Sequence, residues 1–229
     1  EGLLEIYIYG LSTIRDNTDT PEEDIAHVAE LAKKYNSKHF TINGVKIFAD
    51  GVVEGGTAWL LEPYADNPDS VGIKRFYDID KLAALITAAN EYGFRVHCHA
   101  DGDAAVQAFA QAVKKSVDET GNYDQRNAAA HLQLMTEEDK DLFAEYGIMA
   151  VDGYSWAMIT PNTPNDIRAM GIERFLSEYP AQSLIEKGIN VVGHSDYPVS
   201  RDINLPLAMF KAQTIKNMQI FFSYCKYGH

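Results

Sequence analysis

The sequence predicts an α/β fold built on a parallel sheet, and three observations lead there. Short apolar or β-rich runs alternate with stretches of helical periodicity along most of the 229 residues. Several helical stretches carry their own start and stop signals. The unusual polar residues gather at the ends of the strand runs rather than on the helices, and in parallel sheets that edge is where loops and helix N-termini converge on ligands. No Gly/Ser linker, low-complexity tract or internal repeat interrupts the rhythm, so residues 1–229 read as a single domain.

Taken in order, "LEIYIYG" (4–10) is the first strand. "TPEEDIAHVAELAKKY" (20–35) follows as a helix with a Thr cap and an acidic first turn. "GVKIFADG" (44–51) is the second strand. The loop after it, Val52 to Ser70, is long enough for a functional role. "DIDKLAALITAANEYG" (78–93) is a helix between an Asp cap and a terminal glycine, and it leads into the strand "FRVHCHA" (94–100). "GDAAVQAFAQAVKKSVDE" is the next helix and "RNAAAHLQ" (126–133) a short strand. "TEEDKDLFAEYG" opens on a capping box, Thr136 with Asp139 in place of the usual Glu, and "IMAVDG" is a strand. A Pro/Asn-rich loop, a helix around "SEYPAQSLIEKG", the strand "INVVGHSDYPV" (189–199) and an amphipathic stretch, "NLPLAMFKAQTIKNM", complete the series of six strands.

Composition narrows the function. A formal charge of -13 without a Lys/Arg cluster argues against nucleic acid, whose phosphates need a basic footprint, and against anionic membranes. No apolar run approaches the roughly 20 residues of a membrane span, and the N-terminal "EGLLEIYIYG" lacks the basic start of a signal peptide. Cys98 and Cys225 cannot make a disulfide framework, so a cytoplasmic setting is the default expectation.

The strand ends carry Lys46, His97, His99, His131, His194 and Asp196. Each has an ordinary reading alone. Lys46 fits an edge lysine with its ammonium in water, a strand histidine fits a core imidazole bonded to a carbonyl, and Asp196 fits a turn before Pro198. Together they are harder to dismiss, because buried imidazoles and carboxylates are costly to desolvate unless paired or metallated. A shared divalent cation resolves that cost, and nitrogen and oxygen donors suit zinc or a similar first-row ion.

"VKIFADG", "TAWLLEPYAD", "VHCHADGDAAVQAF", "HLQLMTEEDKDLFAEYGI" and "SLIEKGINVVGHSDYPV", in this order from about residue 44 to about residue 210, resemble the amidohydrolase superfamily. The resemblance is to its amidohydrolase 3 group, which includes deformylases of N-substituted formamides. It implies a (β/α)8 TIM barrel with one or two metal ions at the C-terminal face of the strands. His99 then stands as the fifth-strand ligand and His131 as the sixth-strand ligand. Asp196 stands as the eighth-strand aspartate that binds metal and takes the proton of the attacking water. Lys46 falls where two-metal members carry a lysine carboxylated by CO2. His97, Tyr154, Trp156 and His194 remain substrate-pocket candidates, with aromatic packing the plainer reading of Tyr154 and Trp156. Arg126 and Arg201 are candidate anion contacts, with surface salt bridges the plainer reading.

The family's first strand supplies a His-x-His pair, and none precedes Lys46; the histidines there are His27 and His39. The six strands therefore number three to eight, and the chain reads as a partial barrel. What the resemblance implies is a metal-activated water cleaving a carbon–nitrogen bond of a small amide-like substrate. The alternative is a noncatalytic barrel remnant that binds or oligomerises, since an open sheet exposes two edges and so favours a homo-oligomer. A phosphate site at "ADGDAA" is disfavoured by its single glycine and its carboxylates.

Overall fold

The computed structural model describes residues 6–76, 78–153, 156, 157, 159, 161–199 and 204. Among them six strands, β1 (Ile8–Thr13), β2 (Phe40–Phe48), β3 (Arg95–Ala100), β4 (Ala128–His131), β5 (Met149–Asp152) and β6 (Val191–Gly193), form one sheet in sequence order. Every neighbouring pair is parallel. Helices α1 (Pro21–Tyr35), α2 (Ile79–Glu91), α3 (Asp103–Thr120), α4 (Glu137–Glu145), α5 (Thr163–Ser177) and α6 (Ala181–Glu186) lie between them. Each strand thus pairs with its successor across a helical crossover, the winding of a barrel wall.

Alternation along the strands sorts the side chains onto two faces. Val45, Ile47 and Ala49 of the β2 segment, Val96, Cys98 and Ala100 of β3, Ala129 and Ala150 are buried in one cluster with Leu82, Leu85, Ile86, Phe109 and Val113 from α2 and α3. The intervening residues Lys46, Phe48, His97 and His99 therefore share the opposite face. Register fixes their neighbours: Lys46 lies beside His97, and Phe48 beside His99. A second cluster joins Val53, Ala58, Leu60 and Tyr64 of the long loop to Ala169, Met170 and Phe175 of α5. The loop is tied down further by Arg174, which donates to the carbonyls of Glu62 (3.0 Å) and Pro63 (2.8 Å). Among the described residues no helix is long and apolar enough to cross a membrane.

Several boundaries differ from the sequence reading. The described first strand begins at Ile8 and runs to Thr13. Thr20 makes no capping bond; Pro21 opens α1, and Thr18 donates to Asp24 at 2.5 Å. Asp78 and Thr136 do cap α2 and α4, accepting from Asp80 and Lys81 and from Asp139 respectively. The Pro/Asn-rich segment is helical: Thr163 and Pro164 start α5, and Gly171, at φ 79°, kinks it midway. That kink breaks the apolar periodicity by which a helix is recognised. The segment expected as one helix around 177–188 divides, with α6 covering only Ala181–Glu186, and the last strand is confined to Val191–Gly193. The amphipathic stretch after Asn204 lies outside the described residues.

Candidate functional site

The strand register assembles a group of imidazoles and an amine at the C-terminal end of β2, β3 and β4. Lys46 Nζ lies 3.2 Å from His97 Nδ1 and 5.1 Å from the centre of the Phe48 ring. Burial lowers the Lys46 pKa from the ordinary lysine range, opposed by the charge of Asp196. Burial also lowers His97 to about 3, with Lys46 adding to the effect. In the Nε2–H tautomer of His97 the bond runs from the Lys46 amine to Nδ1; in the Nδ1–H tautomer an uncharged amine accepts it.

His99 is held from two sides. Its Nε2 lies 2.8 Å from the Gly51 carbonyl and 3.5 Å from Asp50 Oδ1, and its ring sits 5.4 Å from Phe48. Burial lowers its pKa to about 4, against the opposing bond to Gly51. The His131 ring is 4.4 Å away, centre to centre. Burial, then the neighbouring His99 and His194, lower His131 to about 2, and its buried Nδ1 has no hydrogen-bond partner. His131 and Leu132 both adopt left-handed backbone, at φ 79° and 56°. This costs about 1 kcal/mol or more per residue and is found where a side chain must be aimed.

Trp156 stacks on His131 (5.2 Å, 18°), and His194 meets both rings edge-on, at 5.1 and 5.9 Å. The His194 Nε2 is buried without a partner, and burial lowers its pKa while Asp196 opposes. Asp196 is half-buried just beyond β6 with φ 50°. Its charge acts on Lys46, His99 and His194, so it lies within electrostatic reach of the group. The structure therefore brings together Lys46, His97, His99, His131, His194 and Trp156, with Asp196 alongside. Tyr154 and Arg201 lie outside the described residues. Arg126 forms a surface ion pair with Asp124, as its plainer reading held.

Two carboxylates escaped the sequence reading. Asp50 ends the β2 segment and accepts from the backbone N–H groups of Trp59, Asp101 and Gly102. Asp152 ends β5 in register with His131 and has no exposed surface, and neither of its carboxylate oxygens has a partner. Both occupy strand ends, the criterion that marked the other candidates. An Asp before a glycine, as in "ADG" and "VDG", reads first as turn chemistry.

The donors fit a first-row divalent ion in kind. Buried, neutral imidazoles, two of them with an unpartnered nitrogen, are what such an ion binds. In number they fall short: among the described residues no three His, Cys, Asp or Glu side chains are disposed to hold a metal.

A family profile described as "Amidohydrolase family" matches residues 8–206. YtcJ of Bacillus subtilis (strain 168), which carries amidohydrolase in its name, is 32% identical over 170 residues, 74% of this chain and 31% of that protein. The protein LONG AFTER FAR-RED 3 of Arabidopsis thaliana is 28% identical over 169 residues, 73% of this chain and 28% of its own length. Among solved structures, an uncharacterized metal-dependent hydrolase from Pyrococcus horikoshii OT3 superposes with a TM-score of 0.71 at 19% identity, over 94% of this chain and 43% of that one. The likeness shows the fold, part of a (β/α)8 barrel. The chain spans about a third of the length of the curated relatives it matches.

Proposed function

Because this chain belongs to the amidohydrolase family, we propose that it forms the third to eighth strands of a hydrolase barrel that cleaves a carbon–nitrogen bond of a small amide-like substrate with water. The observation that carries the reading is the meeting of His99 and His131, 4.4 Å apart, with buried neutral rings and an unpartnered His131 Nδ1. His99, His131 and Asp196 are the residues that would hold a divalent ion, zinc or a similar metal, with Lys46 as a further candidate. When bound, such an ion would acidify water and polarise the substrate carbonyl.

The remaining work falls to the chain. Asp196 accepts the proton of the attacking water at its carboxylate and returns it to the leaving nitrogen, so that amide and water yield acid and amine. Burial favours the uncharged amine of Lys46, the form that adds CO2 to give a carbamate and a proton. Trp156, stacked on His131, and His194 would border the substituent side of a substrate bound there.

The ligand shortfall favours a second reading, a barrel remnant that binds without catalysis. Elemental analysis after incubation with zinc or manganese separates the two. The hydrolase reading expects a stoichiometric ion in the wild type and its loss in His131→Ala and Asp196→Asn. A folded wild type that takes up no metal would favour the remnant.

A further inference from the structure

Asp50 sits four residues beyond Lys46, its side chain fully buried. Its Oδ2 accepts from the N–H groups of Gly102 (2.8 Å) and Trp59 (2.9 Å), and its Oδ1 from that of Asp101 (3.1 Å). One carboxylate thereby joins three segments: the end of β2, the long loop, and the turn from β3 into α3. The joint is tight. A Cβ on Gly51 would fall 2.2 Å from Thr57 Oγ1, and one on Gly102 would fall 2.1 Å from the Trp59 carbonyl oxygen. The Gly51 N–H also donates to the Thr57 carbonyl at 3.0 Å, which fixes the plane of the adjoining peptide.

Within this joint two oxygens face one ring nitrogen. His99 Nε2 is 2.8 Å from the Gly51 carbonyl and 3.5 Å from Asp50 Oδ1. The Gly51 carbonyl has no proton to give, so an unprotonated Nε2 would set lone pair against lone pair there; a protonated Nε2 donates to it and turns its positive end toward Asp50, whose carboxyl burial pushes up to about 7 and which is therefore ionised above that pH. In a neutral imidazole that assignment leaves the lone pair on Nδ1.

We propose that Asp50 is a positioning residue for His99. With its own carboxylate, beside the Gly51 carbonyl that follows it in the chain, it holds the ring as the Nε2–H tautomer and presents Nδ1 as the electron-pair donor of the site. Only the use made of Nδ1 rests on the hydrolase reading; the tautomer does not. A purely packing role for Asp50 would leave the ratio to the Gly51 carbonyl alone, unchanged when Asp50 loses its charge.

Long-range 1H–15N spectra of the full chain labelled with 15N-histidine test this, with His99 assigned by its loss in His99→Gln. The wild type should show His99 as the Nε2–H tautomer. In Asp50→Asn, at a pH above about 7, the tautomer ratio should move toward Nδ1–H by about tenfold, the scale of removing one buried charge 3.5 Å from the ring nitrogen, while circular dichroism reports a folded chain. Should Asp50→Asn not fold, Asp50→Ser is read in the same way. The proposal is overturned by an Nδ1–H tautomer in the wild type, by an unchanged ratio in a folded variant, or by failure of both variants to fold, which would make Asp50 a folding residue. Metal content of the same samples judges the hydrolase reading separately, since the tautomer can be as expected in a protein that takes up no ion.

Discussion

Asp152 presents an energetic conflict that no hydrogen bond relieves. Its carboxyl is buried without partners, and burial alone raises its pKa to about 7. An acid whose pKa is raised on folding favours the native state below its unfolded value and loses that advantage as pH rises through the folded one. The penalty is therefore absent near pH 4 and complete above about pH 7. Asp152→Asn, which mimics the neutral acid, should match the wild type at the low end and exceed it at pH 8 by as much as about 4 kcal/mol. Urea unfolding at the two pH values measures it. His97, His99 and His131 carry the opposite sign: their lowered pKa values give stability above about pH 6.5 that is lost as pH falls toward about 4 and below. The Asn variant isolates Asp152 from them because they are common to both proteins. At this scale most of the grouping of candidate residues was legible, because alternation puts Lys46, His97 and His99 on one face and strand ends mark His131 and Asp196. Asp50 and Asp152 were not, because partnership is a tertiary property. Nothing local distinguishes an Asp bonded to three backbone N–H groups, or to none, from one that merely turns the chain.

The elements were legible where caps and apolar periodicity agree. α2 and α4 start at the expected Asp78 and Thr136, and α3 ends at Gly121, φ 70°. α5 was not legible, since its kink at Gly171 divides the pattern into pieces too short to read, and its burial comes from the long loop rather than the sheet. The two ends of α3 offer a graded test. At the C-terminus a Cβ on Gly121 would meet nothing, so Gly121→Ala should cost only the left-handed backbone, about 1 kcal/mol. At the N-terminus the Cβ of Gly102→Ala would collide with backbone atoms of Trp59 at 2.1 and 2.6 Å. Backbone cannot rotate aside as a side chain can, so this substitution should cost roughly 3 kcal/mol. It should also displace the Trp59 segment from Asp50. Denaturant midpoints give both costs, and the reverse order would show that the long loop is free of the α3 turn.

For the whole molecule, the decisive feature is that among the described residues β1 pairs only with β2, β6 only with β5, and neither with the other. The parallel order β1 to β6 was legible from the βα rhythm; what covers the two edges was not, because closure is a relation among distant strands. β1 leaves Ile8, Tyr9 and Leu11 exposed, with Ile6 and Tyr7 just before it, and the β6 side exposes Val192 and Val199. Unpaired backbone beside apolar side chains is a template for another strand. Opposing it is the formal charge of -13, by which two copies repel at low ionic strength. The chain as given should therefore self-associate with rising concentration, and more strongly as salt screens the charge. Sedimentation velocity across a wide concentration range, at low and high salt, reads both dependences. Tyr9→Lys adds a charge to the edge in a strand whose inner partner, Thr41, is unaffected. It should weaken association by roughly tenfold, about 1.4 kcal/mol. If the chain stays monomeric at every concentration and salt, or if it associates equally well with Lys at position 9, the β1 edge is not the surface through which copies meet.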